Sequence, residues 1–253
     1  MTIHLYGPLA VLSDSHLWLA SFHADPSDDP TTLLDDLSYA QLDTRDLQRW
    51  NRFRPLDKKR QFLKSRVAVR TVLERELGAE AQCLFLRTNL RGRPFLHDNK
   101  GQERYQISLS HSGPLIAIVF STGSASVGVD IETVQKIRKT ALQNATLRNE
   151  ELEWMQRTGV SGNLGALLSV WTVKEAVWKA LGGPESVTAA NFTTHYDSEG
   201  AISCVLDGEK EGNKIQVTLF GPPAACPFSP LNWVPIKNVG VSHVSFLGCV
   251  AQK

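Results

Sequence analysis

The chain has 253 residues, 42% of them hydrophobic and 21% charged, with a formal net charge of +1. That length is enough for one large hydrophobic core or two smaller ones. The balance excludes a disordered or fibrous chain, and such a small net charge names no partner.

No apolar run reaches the length needed to span a bilayer, and no membrane partner is expected. The N-terminal stretch has no basic segment leading into a continuous apolar one, so no secretory signal is read there. Cys83, Cys204, Cys226 and Cys249 are scattered and form no C-x-x-C pair. Buried free thiols in a cytoplasmic protein are therefore expected, rather than a zinc site or a disulfide framework.

In chain order, "HLWLASF" reads as a strand and is followed by an acidic stretch around "HADPSDDPTTLLDDL". From about Asp57 an amphipathic helix is expected, with Phe62, Val69, Val72, Leu73 and Leu77 at helical spacing and Gly78 as its stop. "LRTNLRGRPFL" is a strand end and a turn marked by Gly92 and Pro94. "QISLSHS" alternates as a strand ending near His111, and "LIAIVF", apolar on both faces, reads as a buried strand. The polar "STGSA" would return it into "SVGVDIE" as a β-hairpin. A helical region is expected from about Val134 to Gln156, and "LLSVWTVKEAVWKALGG" is a second strong helix stopped by Gly182-Gly183. "NFTTHY", "GAISCVL", "KIQVTLF" and "VSHVSFLGCVA" are strand-like, whereas the proline-rich "FGPPAACPFSPLNWVP" should be loop or edge.

Three features carry possible chemistry. In "VGVDIE" the alternation puts Val127, Val129 and Ile131 on one face and Gly128, Asp130 and Glu132 on the other. Such a strand is either half-wet or half of a divalent-cation site, because close carboxylates repel unless water or a cation compensates. In "WTVKEAVWKALGG", Trp171, Glu175 and Trp178 share a helical face, with Lys174 beside Glu175 and Lys179 one turn on. A surface ion pair on a core helix is the plain alternative. Finally, Arg49 to Arg70 holds nine of the 27 Lys and Arg residues and one acid, Asp57. That bias points to a polyanion, nucleic acid being the first rival.

Taken together, "GVDIE" followed by "WTVKEAVWKALG" resembles the paired motifs of Sfp-type 4′-phosphopantetheinyl transferases, (V/I)G(V/I)D(I/V)E and W-x-x-K-E-A-x-x-K. "RFRPLDKKRQFLKSRVAVR", "RGRPFL" and "SLSHSG" resemble that family's basic helix, G-(K/R)-P turn and S-H-S segment, in the same order. The resemblance implies an α+β fold of two similar subdomains related by a pseudo-twofold, residues 1–123 and 124–253, with the active site in the cleft between them. It implies transfer of the 4′-phosphopantetheine arm of coenzyme A to a serine of an apo acyl or peptidyl carrier protein, with Mg²⁺ required and 3′,5′-ADP released, by a cytoplasmic monomer. The polyanion is then coenzyme A, no nucleic acid is bound, and the surplus basic surface attracts an acidic carrier. A nucleic-acid-binding module and a metal-dependent phosphohydrolase using the same carboxylates are the rival readings.

Carried over by position, Asp130, Glu132 and Glu175 would bind the metal. Lys179 would contact the pyrophosphate and assist the leaving phosphate, with Lys174 a lesser candidate for the same anionic site. Arg49, Arg93, Ser110 and His111 would bind coenzyme A phosphates. Glu151 and Glu175 compete as the base acting on the acceptor serine. Ser108 stands where many members have asparagine, and "QNATLRNEE" and "GGPESV" also depart from the usual pattern. These differences bear on the choice of carrier.

Overall fold

The computed structural model describes residues 2–12, 14–23, 42–133, 146–196, 202–206, 215–221, 233–235 and 246–252. They build an α+β molecule of two sheets. The first is antiparallel throughout, in the order β1-β2-β6-β5-β4-β3. Its strands are β1 (Thr2–Leu12), β2 (Ser15–His23), β3 (Phe85–Thr88), β4 (Pro94–His97), β5 (Glu103–Ser112) and β6 (Leu115–Ser121). The second runs β7-β12-β10-β9-β8, with β11 added in parallel to β10. Here β7 is Val127–Thr133, β8 Phe192–Tyr196, β9 Ile202–Leu206, β10 Ile215–Gly221, β11 Trp233–Pro235 and β12 Phe246–Gln252. The chain thus passes from one sheet to the other between Ser121 and Val127.

The helices are α1 (Thr44–Arg52), α2 (Leu56–Leu77), α3 (Asn149–Arg157) and α4 (Leu164–Ala180). Helix α2 lays Ala68, Val69, Val72 and Leu73 on Trp18, Ala20, Ile107, Ile116, Ile118 and Phe120 of the first sheet. The opposite face of that sheet offers Leu17, Leu19, Leu115, Ala117 and Val119 to Val127, Val129, Ile131, Phe220 and Val250 of the second. Helix α4 covers the far side, packing Val173, Ala176, Val177 and Ala180 on Phe192, Leu219, Cys249 and Ala251. Strand β6 is apolar on both faces because it lies between α2 and the second sheet. Its seven residues are all buried.

That sandwich overturns the expected hairpin. Among the described residues, β6 pairs with β2 and β5, and β7 pairs with β12 alone. β7 stacks on the first sheet through its valines instead of joining it edge to edge. Glycine at position 128 permits the approach of α4 on the other side: a Cβ there would lie 2.0 Å from the Ala176 carbonyl oxygen.

Elsewhere the expected elements stand with small shifts. Helix α2 ends at Gly78 as anticipated. The expected helix from Val134 to Gln156 falls partly outside the described residues, and within them α3 begins only at Asn149. Neither β1 nor α1 is anticipated; α1 is capped by Asp43, whose carboxylate accepts from the amides of Arg45 and Asp46 at 2.9 and 3.0 Å. Cys204 and Cys249 are buried free thiols, Cys83 is free and exposed, and Cys226 lies outside the described residues. No described helix is long and apolar enough to cross a membrane.

Candidate active site

The site begins where β5 crosses β7. Side chains alternate along β5, so Ile107 packs in the α2 core while Ser108, Ser110 and Ser112 point across to β7. Ser108 Oγ accepts from the Val129 amide at 3.1 Å, and Ser112 Oγ accepts from the Thr133 amide at 2.9 Å. Ser110 Oγ donates to Asp130 Oδ1 at 2.8 Å and Ser112 Oγ to Glu132 Oε2 at 3.0 Å. Ser108 and Ser112 therefore take up backbone amides of β7, and Ser110 and Ser112 hold the two carboxylates of "DIE" by their edges.

The second motif meets the first from α4. Lys179 Nζ donates to Asp130 Oδ1 at 2.6 Å, and to Ser110 Oγ and the Val129 carbonyl at 3.1 Å each. Asp130 is 4% exposed, and its Oδ2 is buried with no hydrogen-bond partner among the described residues. Burial first, and then the charge of Asp130, push both Glu132 and Glu175 above the ordinary carboxylate range. Hydrogen bonds from Ser112 and Trp171 partly offset this for Glu132, and the Lys179 charge partly offsets it for Glu175. Three mutually repelling acids with one orphaned oxygen form a donor set suited to a hard divalent cation. Among the described residues, however, no three His, Cys, Asp or Glu side chains already converge as a closed metal cage.

A groove leads away along the first sheet. One part gathers Arg49, Phe53, Lys58, Phe62, Thr88 and His111; the adjoining part gathers Arg91, Arg93, Pro94, Trp178 and Lys179. Gly92, Pro94 and Leu109 belong to both. Arg49 donates to Thr88 Oγ1 at 2.7 Å and lies 5.6 Å from the Phe62 ring centre. Arg93 donates to Gln106, on a turn braced by Asn89 Oδ1, which accepts from the Arg91 and Arg93 amides at 2.9 and 3.0 Å. Desolvation in the groove, then the like charges of Lys179 and Lys58, hold the His111 imidazolium below its ordinary range. Part of the basic stretch is spent internally: Arg66 pairs with the buried Asp46 at 2.9 Å, and Arg70 donates to the Ala81 carbonyl.

Two sequence-derived assignments do not fit this geometry. Lys174 and Glu151 meet each other, 2.7 Å apart, with both side chains at 0% exposure. Glu151 accepts from the Arg148 and Thr194 amides at 2.9 and 2.8 Å as well, and Lys174 also donates to the Thr146 carbonyl at 2.6 Å. Enclosed in this way, Lys174 has no surface for a phosphate and Glu151 no path to an acceptor hydroxyl. Sequence reasoning gave Ser108 a bearing on carrier choice alone and passed over Ser112, although the S-x-S-x-S alternation in "SLSHS" is their signal. Thr88 and Asp46, the partners of Arg49 and Arg66, carry no signal short of the fold.

Comparison with known proteins points to one family. A family model described as the 4′-phosphopantetheinyl transferase superfamily matches residues 126–226, which include β7 and α4. The 4′-phosphopantetheinyl transferase HetI of Nostoc sp. is 30% identical over 69% of this chain and 71% of its own length. The phosphopantetheinyl transferase of Thraustochytrium sp. is 27% identical over 68% of this chain, and the 4′-phosphopantetheinyl transferase gsp of Aneurinibacillus migulanus 25% over 61%. The matched stretches span 64% and 60% of those two relatives, under two thirds of their length.

Proposed function

Because the chain belongs to the 4′-phosphopantetheinyl transferase family, we propose that it moves the phosphopantetheine arm of coenzyme A to a serine of an apo acyl or peptidyl carrier protein, using Mg²⁺ and releasing 3′,5′-ADP. The observation that carries this reading is the Asp130 carboxylate. Ser110 and Lys179 hold one of its oxygens, and the other is buried and unpartnered among the described residues.

Asp130, Glu132 and Glu175 would hold the divalent ion, which when bound neutralises charge on the diphosphate as the leaving group departs. Lys179 shifts its ammonium from Asp130 to the phosphate that becomes part of 3′,5′-ADP. The acceptor hydroxyl oxygen bonds to the phosphorus bearing pantetheine, and the bond to the bridging oxygen breaks with its electrons going to 3′,5′-ADP. The hydroxyl proton goes to Glu175, whose incomplete burial favours it over the enclosed Glu151. Arg49 and His111 bind one phosphate of coenzyme A in the outer groove, and Arg93 another beside Lys179.

The subdomains are assigned to residues 1–123 and 124–253, supported by one sheet and one long helix on each side of that boundary. The enzyme is read as a cytoplasmic monomer. Relatives named as transferases favour transfer over hydrolysis, and the internal pairing of Arg66 and Arg70 weakens the nucleic-acid reading. The test is mass spectrometry of an apo carrier protein incubated with coenzyme A and Mg²⁺. A gain of one phosphopantetheine, absent with Asp130→Ala, is the expected result; phosphate release without carrier modification would replace the reading with a hydrolase.

A further inference from the structure

The Glu151–Lys174 ion pair lies outside the proposed chemistry, yet it is the most completely enclosed ionic contact described, at 0% exposure on both sides. Stability alone is a poor explanation for it. Desolvating two charges offsets most of their attraction, and well-packed apolar residues of similar volume usually serve stability as well or better. What such a pair supplies is direction.

Helix α4 needs direction. Eleven of its 17 residues are buried, spread around most of its circumference from Ala166 to Ala180. A helix that is apolar nearly all round has no single stripe to fix its rotation about its own axis. Rotation is then set by interdigitated packing together with polar contacts of defined geometry. On the site side these are Lys179 on Asp130 and the Val129 carbonyl, and Trp171 on Glu132. Of these, the Lys179 contact is released in the proposed mechanism when substrate arrives. On the other side, Lys174 holds Glu151 at 2.7 Å and the Thr146 carbonyl at 2.6 Å. Glu151 is in turn fixed by the Arg148 amide at the start of α3 and the Thr194 amide on β8. Lys174 is the immediate neighbour of Glu175, so whatever fixes the first sets the bearing of the second.

We infer that Lys174 and Glu151 are positioning residues: their buried pair locks the rotation of α4, and so aims Glu175 and Lys179 at Asp130 throughout the reaction. The pair touches neither substrate nor ion. This inference rests on the transferase reading, and its test separates the two.

The double variant Lys174→Met/Glu151→Gln removes both charges together, so neither is left buried and alone. It is compared with the wild type by thermal unfolding, by Mn²⁺ titration followed by electron paramagnetic resonance, and by carrier-loading kinetics. Expected are a Tm within a few degrees of the wild type, Mn²⁺ binding weakened by about tenfold, and kcat lowered by about tenfold or more even at saturating coenzyme A. A double variant of near-native Tm that keeps wild-type Mn²⁺ affinity and kcat would overturn the inference, because the pair would then serve packing only.

Should the double variant not fold, Glu151→Asp decides. It keeps the charge but draws the anchor back by one methylene, so it must lower kcat while the protein stays folded; an unchanged kcat overturns the lock. A wild type that binds Mn²⁺ but loads no carrier would refute the transferase reading, and the effect of the variants on Mn²⁺ affinity would still judge the lock. A wild type that does neither overturns both.

Discussion

Lys179 Nζ rests 2.6 Å from Asp130 Oδ1, so a cation of the chain's own already sits on the carboxylate proposed as a metal ligand. The same ammonium reaches Ser110 Oγ and the Val129 carbonyl, which commits all three of its hydrogens within the protein. An incoming ion therefore meets Asp130 through Oδ2, and an incoming phosphate must draw Lys179 away.

Lys179→Ala should accordingly act in opposite directions on two measurements. Without coenzyme A, Mn²⁺ affinity should rise, because the competing cation is gone. Transfer should fail chiefly in kcat, since the lost charge matters most as negative charge builds on the leaving group. Weaker Mn²⁺ binding in the absence of coenzyme A, or a defect confined to KM, would assign Lys179 a different role.

Asp130→Ala and Glu175→Ala should each lower carrier loading by about a hundredfold or more, because each removes a ligand proposed for the metal. Circular dichroism of Glu175→Ala should stay native, whereas Asp130→Ala should also lower Tm, because it leaves the Lys179 ammonium without its carboxylate. Near wild-type turnover of either variant at limiting Mg²⁺ would remove that residue from the metal site.

The pH dependence follows from Glu175. Its folded pKa lies above the ordinary 4.5, owing to burial and then the Asp130 charge. The wild type is therefore penalised in full above the folded value, and the penalty falls away as the pH drops from there toward the ordinary value. In chelator, Glu175→Gln should have a higher Tm than the wild type at pH 8, and the gain should shrink to nothing as the pH falls to about 4.5. Saturating Mg²⁺ should reverse the order at pH 8 by stabilising only the protein with the full ligand set. A Tm difference that ignores pH would mean that Glu175 feels no such field.

The two parts of the groove should separate the phosphates of coenzyme A. Arg49→Ala should weaken coenzyme A by about 1.5–3 kcal/mol and leave 3′-dephospho-coenzyme A nearly unchanged, as for loss of a charge-assisted bond to the 3′-phosphate. Arg93→Ala, which alters the part beside Lys179, should weaken both ligands alike. Calorimetry on the two ligands reads the difference directly. Equal losses for Arg49→Ala would move it off the 3′-phosphate.

Gly128→Ala tests the approach of α4 to β7. A Cβ would stand 2.0 Å from the Ala176 carbonyl oxygen and 2.5 Å from the Ala180 amide nitrogen, both backbone atoms that cannot turn aside. Moving a helix to make room costs about 1–3 kcal/mol or more, so a lower Tm should accompany a loss of transfer. A variant with native Tm and activity would show that α4 can yield to a side chain at position 128 without cost.

The two motifs were legible because their spacing carries geometry. Alternation placed Asp130 and Glu132 opposite the valines, and helical spacing placed Glu175 and Lys179 one turn apart. The hairpin was misread because a polar turn between two apolar strands looks the same whether the second strand pairs with the first or stacks upon it. Only the all-buried pattern of Leu115–Ser121 hints at stacking. Helix α1 escaped because its turns are dominated by charge, and Asp43 and Asp46 can be read equally well as part of the acidic stretch before them. Glu151 and Lys174 were assigned by motif position, which reports residue type but not enclosure. Burial belongs to the fold and is written in no motif.

All strands of the first sheet come from residues 2–121 and all those of the second from residues 127–252, so each sheet can close from contacts within its own half of the chain. The site cannot form within either: Ser110 and His111 belong to the first half, Asp130 and Lys179 to the second. The proposed site is therefore complete only when the serines of β5 engage β7. A refolding chain should regain its helical signal before its first turnover, with a docking step between them that neither half performs alone.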